Sequence, residues 1–93
     1  MLRIEWTQPA LADFIEIESQ IEKESPEAAR VIGQRVRDAS QALGHQPTMG
    51  REGYVPGTRE WVVQRSPCIL VYRITNQQIE IVHVHHERSN WKA

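Results

Sequence analysis

A two-layer α+β fold is predicted, with a helical hairpin packed on one face of a small, mostly antiparallel four-stranded sheet. Three observations carry this expectation. Two amphipathic segments follow one another with only Ser25-Pro26 between them. Beyond Gly57 the apolar spacing switches from helical to alternating. A short alternating segment at the N-terminus has one apolar face, which that same sheet can cover.

The elements follow in order. Leu2, Ile4 and Trp6 alternate with Arg3, Glu5 and Thr7, the period of a short strand. Thr7 is placed to cap a helix whose first turn tolerates Pro9. Leu11, Phe14, Ile15, Ile17 and Ile21 form its apolar stripe, with Glu16, Glu18, Glu22 and Lys23 toward water. Ser25 is the expected cap of a second helix that has Pro26 in its first position. Ala28, Ile32, Val36, Ala39 and Leu43 then recur at steps of three and four. Gly44 is placed to end that helix, and Pro47 confirms the stop. So short a connection makes the two helices antiparallel neighbours.

Residues 45–57, with Pro47, Gly50, Gly53, Pro56 and Gly57, read as a loop. Thr58–Arg65, Cys68–Ile74 and Ile79–His86 are three strands of a meander, separated by turns at Ser66-Pro67 and Asn76-Gln77-Gln78. Glu87–Ala93 read as a tail or short turn anchored by Trp91. Helices covering one side leave the other sheet face partly open, and a site is expected there.

Size and charge bound the function. With 93 residues the chain is expected to form one domain, 1–93, with a modest core. A hydrophobic fraction of 40% is too high for a disordered chain. The formal charge of −1 excludes the strongly basic background of a small nucleic-acid coat protein. The total hides an uneven distribution. Residues 1–45 carry five basic against eight acidic side chains, a net of −3, and residues 46–93 carry six against four, a net of +2. One cysteine, Cys68, rules out an internal disulfide and reads as a small buried filler. The N-terminus has no apolar run of the signal-peptide kind, and no segment approaches a membrane span, so a cytoplasmic protein is expected.

Two groups of side chains carry candidate chemistry. Arg51, Arg59, Arg65, Arg73 and Arg88 lie on or beside the meander, where residues distant in sequence can converge. Guanidinium groups suit phosphate because their planar fork donates paired hydrogen bonds. Ordinary solvation of an exposed sheet face accounts for them equally well. His83 and His85 point to the same face and His86 to the other, since the strand period is two. A histidine titrates near neutrality and can move protons in phosphodiester chemistry. Metal binding would lack a third ligand unless His45 supplied one, so neither a metal nor a cofactor is assigned. Trp61 reads as packing, whereas Trp91 could stack on a base. GxSxG, HExxH, CxxC and phosphate-binding glycine motifs are all absent from the sequence.

Residues 50–91, GREGYVPGTREWVVQRSPCILVYRITNQQIEIVHVHHERSNW, resemble the C-terminal half of toxins in the RelE/ParE superfamily. The resemblance rests on Gly57-Thr58-Arg59-Glu60 running into Val62-Val63, then Pro67 and Val71-Tyr72-Arg73. It continues through Ile79-Glu80-Ile81-Val82 to a histidine followed by Arg88 and Trp91. Ala10-Leu11-Ala12-Asp13 and Pro26 with Ala28-Ala29 agree in the first half, so essentially the whole chain is covered.

That resemblance implies the toxic partner of a bacterial type II toxin–antitoxin system. RelE-like members cut messenger RNA by 2′-OH attack on the adjacent phosphate, and ParE-like members poison DNA gyrase. Carried over, the family pattern places Arg51, Arg59 and Arg73 at basic positions, with His83 where an arginine often stands. Arg59, Arg73, His83, His85 and His86 form the implied catalytic set. Arg51, Arg65, Arg88 and Trp91 would contact phosphate or nucleic acid. The catalytic tyrosine near the C-terminus of some family nucleases has no counterpart. An endoribonuclease acting on ribosome-bound mRNA is the first reading, a gyrase inhibitor the alternative, and a non-toxic binding module the third. Each toxin reading implies an antitoxin encoded by an adjacent gene, no membrane, and a toxin–antitoxin hetero-oligomer.

Overall fold

A computed structural model describes residues 1–89. Trp91, expected to anchor the tail, lies outside the described residues. The order is β1 (Arg3–Trp6), α1 (Gln8–Glu24), α2 (Pro26–His45), β2 (Arg51–Glu52), β3 (Arg59–Val62), β4 (Cys68–Thr75) and β5 (Gln78–His86). The helical hairpin and sheet match the predicted layers. The sheet itself has five strands in the order β1-β5-β4-β3-β2, because residues 51–52 of the predicted loop pair with β3. It is mixed, since β1 runs parallel to β5 while every other pair is antiparallel.

The helix boundaries obey local chemistry. The side chain of Thr7 accepts from the Ala10 amide, and that of Ser25 accepts from the Ala28 amide, each satisfying a donor with no partner inside its helix. Ser25 also ends α1, its amide donating to the Ile21 carbonyl. Gly44 does not end α2, which continues to His45 and is closed by Gln46. Its role is close approach: the Gly44 carbonyl accepts from the Leu2 amide, and a Cβ there would stand 2.7 Å from the Leu2 oxygen.

The core lies between the hairpin and the sheet. Ala10, Phe14 and Ile17 of α1 and Val36 and Leu43 of α2 meet Leu70, Tyr72, Ile79, Ile81 and Val84. Two residues of the predicted α1 stripe fall outside it, Leu11 at 45% exposure and Ile15 at 64%. At about 100° per residue the buried face is centred on Ala10, Phe14, Ile17 and Ile21, and Leu11 and Ile15 turn away from it. Trp61 packs against the core as expected, and Cys68 is buried within it. Among the described residues no helix is long and apolar enough to cross a membrane.

Candidate functional site

From Cys68 to Tyr72, β4 is buried on both faces. Cys68, Leu70 and Tyr72 face the helices, while Ile69 and Val71 lie on the opposite face and are also buried. Strand register builds that second face in rows. Glu60, Val71 and His83 stand side by side on β3, β4 and β5, and Val62, Ile69 and His85 form the next row. Arg73 and Glu80 form a third, continued by Glu5 on β1.

The histidine end of this face depends on a β-bulge. Val71 pairs with His83 and Tyr72 with Ile81, which leaves Val82 as an extra residue. The shift sets the phase of the remaining strand. His83 and His85 come to the open side, whereas Val84 and His86 turn toward the helices. Where β1 ends, α1 takes over the edge of β5. Thr7 donates from its amide to the Ile81 carbonyl and from its hydroxyl to that of Val82. Asp13 Oδ2 then accepts from the Val84 amide at 3.0 Å and lies 2.9 Å from His83 Nδ1. The His83 and His85 rings stack with centroids 5.5 Å apart and planes 14° apart. Burial, and then the neighbouring His83, hold the His85 imidazole below the ordinary histidine value.

Of the predicted residues, Arg51, Arg73, His83 and His85 share this face. Arg51 donates from Nε and Nη2 to Glu60 Oε1, and Arg73 donates to Glu80. Arg59 lies in register with Tyr72 on the helix side, where Nη1 donates to the Gly50 carbonyl at 2.8 Å. Arg65 occupies the β3–β4 turn with φ of 56°, and its carbonyl accepts from Arg35. His86 borders a shallow depression of about 370 Å³ shared with Glu16, Ile17, Gln20, Ile21 and Glu24 of α1. Its Nδ1 accepts from the amide of Arg88, which stands in the turn after β5. The predicted residues are thus divided between two faces and two turns.

Sequence reasoning passed over the acids that engage these bases: Asp13, Glu60 and Glu80. A signal for Asp13 exists. It falls within the inward stripe of Ala10, Phe14 and Ile17, and a polar side chain among buried positions needs a specific partner. Glu60 carries no such signal, because it shares the period of Val62, which is exposed, and not that of Trp61, which packs against the core. No group of three or more His, Cys, Asp or Glu side chains arranged to hold a metal occurs among the described residues.

The ParE toxin of the type II toxin–antitoxin system parDE supplies a sequence profile that matches residues 4–91. The toxin candidate Y4kP of Sinorhizobium fredii is 40% identical over 96% of this chain and 92% of its own length. Toxin RelE2 of Caulobacter vibrioides is 30% identical over 92% of this chain and 96% of its own. A solved structure of the chromosomal ParDE toxin–antitoxin system from P. aeruginosa superposes with a TM-score of 0.81 at 26% identity. It covers 92% of this chain and 96% of the other.

Proposed function

Because the chain belongs to the RelE/ParE-like toxin superfamily of type II toxin–antitoxin systems, we propose that it acts as a ParE-type toxin. In this reading it arrests growth by binding a protein target, DNA gyrase, and not by cutting mRNA. The order of readings set by the residues alone, ribonuclease first, is reversed.

One structural observation carries this reading: the arginines required by a phosphate clamp are spread and engaged. Arg51 is held by Glu60 and Arg73 by Glu80, while Arg59 is turned to the helix side on backbone carbonyls. Each acid offsets the positive charge that would attract a polyanion. The ParE profile and the ParDE structure favour the same branch. Ribonuclease remains the second reading on one specific feature, the pairing of His83 with Asp13, since a carboxylate behind an imidazole suits proton transfer. Arg59, Arg73, His83, His85 and His86 would be its catalytic residues, with Arg51, Arg65 and Arg88 on phosphate.

Superfamily membership implies a cognate antitoxin. Its docking segment would cover Leu11 and Ile15 on the outer face of α1, where Glu18 and Glu22 stand nearby. The deciding experiment expresses the chain alone and with the product of the adjacent small reading frame. Supercoiling by purified gyrase and primer extension on cellular mRNA are then measured. Gyrase inhibition with DNA breakage and intact mRNA is the expected result. Discrete mRNA cuts with unaffected gyrase would select the ribonuclease, and absence of growth arrest would remove both.

A further inference from the structure

We propose that the groove between α2 and the edge of β3 is the contact surface for the toxin's protein target, and that it takes an extended acidic segment carrying an apolar side chain. This rests on the reading above, in which growth arrest proceeds through a protein and not through mRNA. Shape, edge geometry and charge point to the same occupant.

The groove has a volume of about 350 Å³. Its lining is largely apolar, with Met49, Trp61 and Val63 on one side and Ala39 and Ala42 of α2 on the other. Trp61 stands in register with Leu70 on the helix side of the sheet and is only partly buried. An indole so placed offers the large apolar surface that anchors protein contacts. The small side chains of Ala39 and Ala42 leave room above it.

The rim offers a strand edge. The Val63 amide donates to the Cys68 carbonyl, so Trp61 and Val63 bond toward β4 and Val62 bonds the other way. On that other side β2 pairs only with Glu60 and Arg59. Val62 therefore presents its amide and carbonyl beyond the end of β2, where an added segment can take up both.

Arg35 and Arg65 flank the groove. Arg35 reaches across from α2, its Nη1 donating to the Arg65 carbonyl at 2.7 Å. Neither guanidinium is paired with a carboxylate among the described residues. Asp38, the acid in the lining, already accepts from Gln34. Two such cations beside an apolar floor suit a segment in which carboxylates flank an apolar residue. A nucleic acid matches the cations but lacks the peptide groups that pair along a strand edge. No residue of α1, where the antitoxin segment is placed, lines the groove.

Supercoiling by purified gyrase, titrated with the full-length chain and its variants, tests the proposal, with antitoxin binding measured on the same preparations by calorimetry. Arg65→Asp reverses the charge with a residue that tolerates the positive φ at this turn. Ala42→Glu places an acid in the groove from an exposed position of α2. Each is expected to raise the concentration for half inhibition by about tenfold or more. Antitoxin affinity and circular dichroism should stay unchanged. Arg3→Glu, the same charge change on β1 at the opposite edge of the sheet, should leave inhibition unchanged. Undiminished inhibition by both groove variants would overturn this contact surface and leave the gyrase reading standing. An unsubstituted chain that fails to inhibit gyrase would overturn both. Loss of antitoxin affinity in place of inhibition, or single-stranded RNA binding abolished by Arg65→Asp, would give the groove to another partner and likewise overturn the proposal.

Discussion

The carboxylate of Glu60 accepts two hydrogen bonds from the guanidinium of Arg51, from Nε at 3.1 Å and Nη2 at 2.9 Å, both at Oε1. Its other oxygen accepts from the Tyr54 amide at 2.8 Å. Glu60 is 2% exposed, and a charge so placed is tolerated only when such donors replace water. The acid therefore fixes both β2 and the start of the loop after it. Glu60→Ala is expected to lower unfolding free energy by roughly 1–3 kcal/mol, and Glu60→Gln by less. Urea unfolding measures the first effect, and limited proteolysis within residues 53–57 measures the loosened loop. Coincident unfolding midpoints for all three proteins would contradict this role.

Tyr72 secures the same region from the helix side. Its hydroxyl donates to the Pro47 carbonyl at 2.6 Å and accepts from the Gly50 amide at 2.9 Å. Both contacts are lost in Tyr72→Phe, and the buried Gly50 amide is left without that acceptor. A cost of about 1–3 kcal/mol is expected. In a domain near this size each kcal/mol lowers Tm by roughly 4–8 °C. Calorimetry should show that drop with the sheet otherwise preserved, and an unchanged Tm would rule out the anchoring role.

The layers and both helix caps were legible because they depend on local chemistry. Thr7 and Ser25 are oxygen-bearing residues just before helical periodicity, and no distant contact is needed to place them. Gly44 shows where locality fails. Helix-ending chemistry is a sound reading of a glycine before Pro47, yet the position is set by Leu2 crossing over it. Likewise, the sequence cannot show that Val82 is the extra residue of a bulge, because Thr7 and Asp13 on another element stabilise it. The same-side placement of His83 and His85, and the opposite placement of His86, survive since all three follow the bulge. The arginines were legible as residues but not as a site. Their orientation depends on Glu60, Glu80 and the Gly50 carbonyl, which are brought to them only by strand pairing.

Cys68 gives the fold a pH dependence of definite sign. Burial pushes its thiol up to about 11. An unfolded thiol ionises near roughly 8.5. Between these values the unfolded chain loses the proton while the folded chain keeps it, so rising pH favours unfolding. The contribution is complete below about 8.5 and disappears as pH climbs toward 11. Burial also raises the Tyr72 phenol and acts in the same direction at higher pH. Denaturation midpoints should therefore fall on the alkaline side, and less steeply in Cys68→Ala. The native thiol should resist a disulfide reagent at about pH 8 and react once unfolded. Rapid labelling of the native protein would show that Cys68 is accessible.

Asp13 closes the edge of β5 at the point where β1 stops. One oxygen serves both the Val84 amide and the His83 ring, so the side chain joins α1 to the residues just after the bulge. Asp13→Asn retains an oxygen for Val84 but loses the charge, whereas Asp13→Ala removes the acceptor altogether. The alanine variant is expected to lose roughly 0.5–1.5 kcal/mol, and the asparagine variant less. Amide hydrogen exchange separates a local effect from a global one. Val84 should lose protection in Asp13→Ala beyond what the global destabilisation explains, and keep most of it in Asp13→Asn. Amides of Leu70 and Tyr72 in the middle of β4 should follow global stability in both. If Val84 exchanged at the same rate in all three proteins, the bulge would be held by Thr7 and the β4 ladder alone, and Asp13 would have no part in placing His83.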